Sequence, residues 1–172
     1  GYYAYDSKDV LYEQAPVYDW IEINTLGTEI EVTTSDQTET VQLPFIFTYY
    51  GLDYEFVRIS TDGFIAFGAG TQTDYSNSPL PNDDAINCMV AAFWDDLFAS
   101  NASQNGQLFY YYDEPNNQFI IEWLAVGHWS GAELKETFQI VLTDPDYCDT
   151  PTGDGDILIQ YHTVANAGGN SI

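Results

Sequence analysis

Six short apolar runs, each bounded by turn-forming residues, set the limits of what this chain can fold into. They are Phe64-Ile-Ala-Phe-Gly68, Ala91-Ala-Phe-Trp-Asp-Asp96, and residues 107–112, 119–123, 137–142 and 156–161. Each has the length of a strand, and no long helical pattern accompanies them. Strands that alternate apolar and polar side chains must cover their apolar face with a second layer. With no helix to supply it, that layer has to be another sheet. The expectation is an all-β chain, an antiparallel, jelly-roll-like β-sandwich of about ten short strands with little or no helix.

At 172 residues, with 45% hydrophobic side chains, the chain has the size of one domain, 1–172, and enough apolar surface for its own core. Charge is the unusual bulk property. Asp and Glu number 27 against three basic residues, Lys8, Arg58 and Lys135, for a net charge of -24. Nucleic acid and anionic membranes are poor partners for such a surface. Self-repulsion of this size is relieved by abundant salt or by specific calcium binding. A well-solvated acidic surface on a secreted protein explains the composition equally well.

No apolar stretch approaches the roughly 18 residues that span a bilayer. The start, Gly1-Tyr-Tyr-Ala-Tyr-Asp6, has neither an initiator Met nor a basic leader and reads as a mature or excised segment. Cys88 and Cys148 are the only cysteines. They suit one extracellular disulfide or two separate thiols, and their spacing supports no zinc site. Asn101-Ala-Ser103 matches a glycosylation sequon.

The opening segment to Pro16 carries Tyr2, Tyr3, Tyr5 and Tyr12 and reads as an aromatic edge strand or an exchanged one. Trp20-Ile-Glu-Ile23 and Glu29-Ile-Glu-Val32 alternate around Asn24-Thr-Leu-Gly27, which predicts a hairpin. Ser35-Asp-Gln-Thr38 reads as a turn. Pro44 places the run 41–47 at a sheet edge or a bulge, because it cannot donate to a ladder. Thr61-Asp-Gly63 between two apolar runs predicts a second hairpin, and Asp113-Glu-Pro-Asn-Asn117 a third. Between them, residues 70–84 form a long loop that is either a functional surface or a solvated crossover. In the run that follows residue 117, Phe119, Ile121 and Trp123 share one face while Ile120, Glu122 and Leu124 share the other. Both faces are therefore expected to be partly covered.

No hydrolase motif is present. Trp129-Ser-Gly131 is not a nucleophile elbow, and His128 and His162 lack metal-ligand spacing. His162, within a strand, reads as a polar partner or a surface residue. Calcium is the better-supported chemistry, because hard cations take six to eight oxygens and acidic loops supply them. Asp144, Asp146, Asp149, Asp154 and Asp156 crowd one loop, and Asp95 and Asp96 with Asp83 and Asp84 form an alternative set. Neither has EF-hand spacing, and the role expected of calcium is structural. Trp129 and Tyr75 fall in predicted loops and offer a stacking platform for glycans, while most other aromatics suit sheet packing.

Taken in order, Asp62-Gly-Phe-Ile-Ala-Phe-Gly68, Ala91-Ala-Phe-Trp-Asp-Asp96, Gly106-Gln-Leu-Phe-Tyr-Tyr111, Thr137-Phe-Gln-Ile-Val-Leu142 and Gly155-Asp-Ile-Leu-Ile-Gln-Tyr161 resemble the nidogen-like extracellular domain, closest to its bacterial relatives. The resemblance covers about 41–161 and implies a non-catalytic β-sandwich module of a secreted or cell-surface protein. Such modules usually continue into one more strand, whereas here the chain reaches Gly168-Gly-Asn-Ser-Ile172. The expected function is structural or adhesive, with neighbouring domains of a parent protein or identical subunits as partners. Two alternatives stand beside it: a subunit of an extracellular filament or lattice joined by strand exchange, and a carbohydrate-binding module.

Overall fold

The computed structural model describes residues 1–81, 86–100 and 106–165. Ten strands form two antiparallel sheets: β1 (Thr28–Ile30), β2 (Thr38–Tyr49), β3 (Leu52–Ser60), β4 (Phe64–Phe67), β5 (Met89–Ala91), β6 (Leu97–Phe98), β7 (Gln107–Asp113), β8 (Gln118–His128), β9 (Gly131–Thr143) and β10 (Ile157–Thr163). One sheet runs β1-β7-β8-β9-β10 with β6 paired to the last residues of β8, and the other runs β2-β3-β4-β5. The β-sandwich expected from the alternation is present. Its connectivity differs from a jelly roll, because most consecutive strands pair with each other and each sheet is largely a meander. Short connections favour such pairing over a crossing between sheets.

The core lies between the sheets. Val57, Ile59, Ile65 and Phe67 meet Leu108, Phe119, Ile121, Trp123, Phe138, Ile140 and Leu142 there. Trp123 stacks on Phe138 at 4.9 Å, and its indole N–H donates to the Ser60 carbonyl of the opposite sheet at 2.9 Å. A fully buried aromatic of this kind stabilises by about 2–3 kcal/mol from area alone.

The predicted hairpins at 61–63 and 113–117 both form. Asn117 closes the second in the left-handed region after a single 3-10 turn, Glu114–Asn116. Pro44 sits where the β2–β3 register shifts between Gln42 and Phe47, on the edge strand of its sheet, so the edge and the bulge are both realised.

Both outer faces are covered, as the two-sided pattern of β8 requires. On the six-stranded sheet, Phe109, Ile120 and Val141 pack beneath Ile21 and Ile23. Here the structure corrects the sequence reading, because residues 20–23 form no strand and no hairpin with 29–32. They cross the sheet as a strap. Gln160, Gln139 and Glu122 stand opposite one another on β10, β9 and β8, and their side chains satisfy the strap's backbone. Gln160 bonds both the N–H (2.7 Å) and the C=O (2.8 Å) of Asp19, Gln139 donates to the Ile21 carbonyl, and Glu122 accepts from the Ile23 N–H at 3.4 Å. Side chains thus replace the ladder that a strand would have needed.

The opening segment is likewise no edge strand. It folds through turns onto its own domain, with Tyr2 against Tyr49 and Tyr50. On the four-stranded sheet, residues 70–77 cover the outer face. Gln72 accepts from the buried Arg58 guanidinium at 2.9 Å, and the Asp74 carbonyl accepts from the Trp94 indole at 2.7 Å. Of the predicted run 91–96 only Ala91 is in a strand; the rest turns away to meet the β3–β4 hairpin.

Candidate functional site

Three segments distant in sequence converge at the turn between β3 and β4. The turn is clamped to residues 93–95 through two backbone bonds, Phe93 N–H to the Gly63 carbonyl at 3.0 Å and Asp95 N–H to the Asp62 carbonyl at 3.4 Å. Contact is so close that a Cβ on Gly63 would lie 1.9 Å from the Phe93 oxygen, and Gly63 has φ +78°. Only glycine fits there. From the other side, the Gln37 N–H donates to the Thr61 hydroxyl at 2.9 Å, and the Thr61 N–H donates to the Gln37 carbonyl, also at 2.9 Å. Asp36 is held in the left-handed region, φ 47°, immediately before this contact.

The result is a cluster of carboxylates. Asp36, Asp62 and Asp96 each place an oxygen within 4.8 Å of the others, and they are the one such group of acidic, imidazole or thiol side chains among the described residues. Asp62 is 0% exposed, while Asp36 and Asp96 are half-buried and open the cluster to solvent. One Asp62 oxygen, Oδ2, accepts from the Ser60 hydroxyl at 3.2 Å and the Thr73 hydroxyl at 3.1 Å. The other, Oδ1, is buried and meets no donor among the described residues. Burial, with Asp36 and Asp96 adding, pushes the Asp62 carboxyl up from 3.8 to about 7. Asp96 is also raised, by burial first and then by Asp36 and Asp95, with His128 opposing.

Beside this cluster lies a second polar chain. His128 Nδ1 is 3.0 Å from Asp95 Oδ2, and its Nε2 is 3.0 Å from the fully buried Glu136 Oε1. Glu136 Oε2 in turn accepts the Ala165 N–H at 2.8 Å. A break in the β8 register makes this contact. Ala125 adopts φ 50° between the Trp123 and Val126 pairs, which turns Val126 and His128 to the inner face. Both ring nitrogens of His128 thus face carboxylates.

The acidic loop singled out in the sequence behaves differently. Asp144 and Asp154 are buried, but their oxygens serve the chain's own donors: Asp144 accepts the Asp146 N–H at 3.0 Å, and Asp154 accepts the Gly51 N–H at 2.7 Å and the Thr152 hydroxyl at 2.9 Å. The Gly1 amino group also reaches Asp154, at 2.8 Å. Asp146, Asp149 and Asp156 are exposed, and these five carboxylates form no three-membered group of ligand atoms. Of the alternative set, Asp96 belongs to the cluster, Asp95 is engaged by His128, and Asp83 and Asp84 lie outside the described residues.

Cys88 and Cys148 are not bridged. Cys88 precedes β5 in the four-stranded sheet, where its sulfur accepts the Tyr54 hydroxyl at 3.6 Å. Cys148 lies in the β9–β10 connection of the other sheet. Burial raises its thiol pKa, and Asp156 and Asp149 add to the shift. Trp129 is 62% exposed and edge-on to Phe98, and Tyr75 is also exposed, but no ring contact joins Trp129 to Tyr75. His162 lies on the surface with its ring 5.1 Å from Trp20. The sequon at Asn101 falls outside the described residues.

Asp36 and Asp62 escaped the sequence reading because each sits in a turn, where Asp is explained by backbone geometry alone. No local pattern joins Asp36, Asp62 and Asp96, which lie in three separate stretches of the chain. Among the described residues no helix is long and apolar enough to cross a membrane. The family model described as NIDO related matches residues 12–171. Nothing matches among curated proteins or among solved structures.

Proposed function

The chain belongs to the NIDO-related family, a family of extracellular domain modules, and from that premise we propose that it is a non-catalytic structural or adhesive module of a secreted or cell-surface protein. One observation carries this reading. The domain covers both outer sheet faces yet leaves an apolar run exposed on its N-terminal segment, with Tyr3 80%, Leu11 94% and Val17 80% exposed, and Val10, Tyr12 and Tyr18 beside them in the chain. Exposed apolar surface concentrated in this way marks a contact with another protein surface. Its partner is a neighbouring domain of the parent protein or an identical subunit. The engagement of His128 by two carboxylates agrees with a non-catalytic role.

Light scattering over a concentration series tests the reading. A monomeric mass at every concentration fits a module that meets a different domain. A mass that grows with concentration, and falls back in a Leu11→Ser, Val17→Ser, Tyr18→Ser variant, fits contact between identical subunits. Assembly indifferent to that variant removes the proposed surface. Turnover on peptide or glycan substrates, lost on Glu136→Gln, removes the non-catalytic role.

A carbohydrate-binding reading is favoured by Trp129 alone, an exposed ring packed edge-on against Phe98 on a residue whose backbone N–H donates to the Asp96 carbonyl at 2.9 Å. A glycan screen in which Trp129→Ala loses a bound sugar supports it, and binding unchanged by that substitution sinks it.

A further inference from the structure

We propose that Asp36, Asp62 and Asp96 form a divalent-cation site, and that Ca²⁺ is the cation it takes. Three carboxylates meeting within 4.8 Å do not by themselves make a site in a chain of net charge -24. What distinguishes this cluster is the Asp62 carboxylate at its centre. It is wholly buried, its Oδ2 is satisfied by two hydroxyls, and its Oδ1 has no partner among the described residues. An orphaned carboxylate oxygen in a buried position is costly unless a proton or a cation meets it. Among the described residues neither an Arg nor a Lys pairs with it, and the nearest imidazole, His128, is engaged by Asp95 and Glu136.

The donor set selects the metal. All three ligands are carboxylate oxygens, with no thiolate or imidazole among them, which suits a hard cation over zinc or copper. The half-buried Asp36 and Asp96 leave room on the solvent side for the waters that complete a six- to eight-oxygen shell. Ca²⁺ tolerates such an irregular mixture of protein and water oxygens better than Mg²⁺, which demands near-ideal octahedral geometry.

The bound ion would join three segments, residues 36–37, the β3–β4 turn and residues 93–96, which carry the strand starts of β2, β4 and β6. Its function is therefore to fix the end of the sandwich at which the two sheets approach each other through the Trp123–Ser60 bond. This places the cation away from the acidic 144–156 loop that composition alone favours.

The test is Ca²⁺ titration by calorimetry in roughly 0.15 M salt, where diffuse counterions are screened. It is paired with Tb³⁺ luminescence sensitised by Trp94, which lies two residues before Asp96. The expected result is one Ca²⁺ per chain, weakened at least roughly tenfold by Asp62→Asn or Asp96→Asn. A combined Asp146→Asn, Asp149→Asn, Asp156→Asn variant should bind as the parent does. Should Asp62→Asn not fold, Asp36→Asn, at a half-exposed position, carries the same expectation. Absence of both binding heat and a Ca²⁺-dependent rise in the parent's melting temperature overturns the proposal. So does binding that survives substitution at Asp36, Asp62 and Asp96 but disappears in the loop variant.

Discussion

Asp62 and Glu122 are both fully buried, each has one oxygen that meets no donor among the described residues, and both carboxyls are pushed up to about 7 with burial as the first cause, yet the groups around them differ. Glu122 lies on the outer face of the six-stranded sheet in a row of amides. Gln139 donates to its Oε2 at 3.2 Å, the Ile23 N–H does so at 3.4 Å, and the other carboxylate raising its pKa is the exposed Glu22. Asp62 lies at the turn end of the four-stranded sheet, facing Asp36 and Asp96. A buried acid among amides ties down backbone. A buried acid among acids gains from a cation. The first arrangement fastens a strap, and the second invites a ligand.

The sharpest way to break this comparison is at the glycines that bring each network together. Gly63→Ala would drive a Cβ against the Phe93 carbonyl at a left-handed backbone position, and a loss of roughly 3 kcal/mol or more in chemical denaturation is expected. Glu122→Ala should cost about 2–3 kcal/mol, since it removes packing, the acceptor of the Ile23 N–H and one of the two acceptors of Gln139. Faster hydrogen exchange at the Ile23 amide would show that the strap has loosened. At Gly27 the approach to the Tyr110 carbonyl is 2.8 Å and no left-handed angle is required, so Gly27→Ala should cost less, about 1–2 kcal/mol. If Gly27→Ala proves costlier than Gly63→Ala, the strap and not the acidic turn is the more constrained region.

A pH series separates the two acids more finely. Each folded pKa is raised above its unfolded value, from 3.8 for Asp62 and 4.5 for Glu122 to about 7, so the folded state holds these protons more tightly. Their contribution to stability is therefore greatest below pH 3.8–4.5, declines as pH rises toward about 7, and is flat above it. In chelator, Asp62→Asn and Glu122→Gln should each remove part of that decline, visible in melting temperature against pH. With Ca²⁺ present, the Asp62 share should vanish from the parent while the Glu122 share persists. A smaller effect is expected at Trp129→Ala, within about 0.5 kcal/mol, because the ring is mostly exposed; a larger loss would make it part of the fold.

Much of the sandwich is legible in the order of residues along the chain. Phe119, Ile121 and Trp123 against Ile120, Glu122 and Leu124 announce a strand covered on both faces, and Asp62-Gly63 announces its hairpin, because side-chain alternation and turn chemistry are local. Trp20-Ile-Glu-Ile23 misleads for the same reason. Its alternation is real, but its backbone and that of Asp19 before it are satisfied by side chains of three strands far along the chain, which no local pattern encodes. The five aspartates of the 144–156 loop crowd together along the chain without forming a three-membered group of ligand atoms, since density of acids in sequence is not convergence of their oxygens in space.

The chain's own pattern of residues was enough to specify two antiparallel layers, an apolar core between them, an acidic exterior and the positions of the tight turns, all of which depend on neighbours within a few residues. Folding in three dimensions chose the crossing strap, the inward swing of His128 at the Ala125 break, and the meeting of Asp36, Asp62 and Asp96. Each of these depends on contacts between segments from 8 to more than a hundred residues apart, where register and sheet packing, not sequence period, decide which side chains meet.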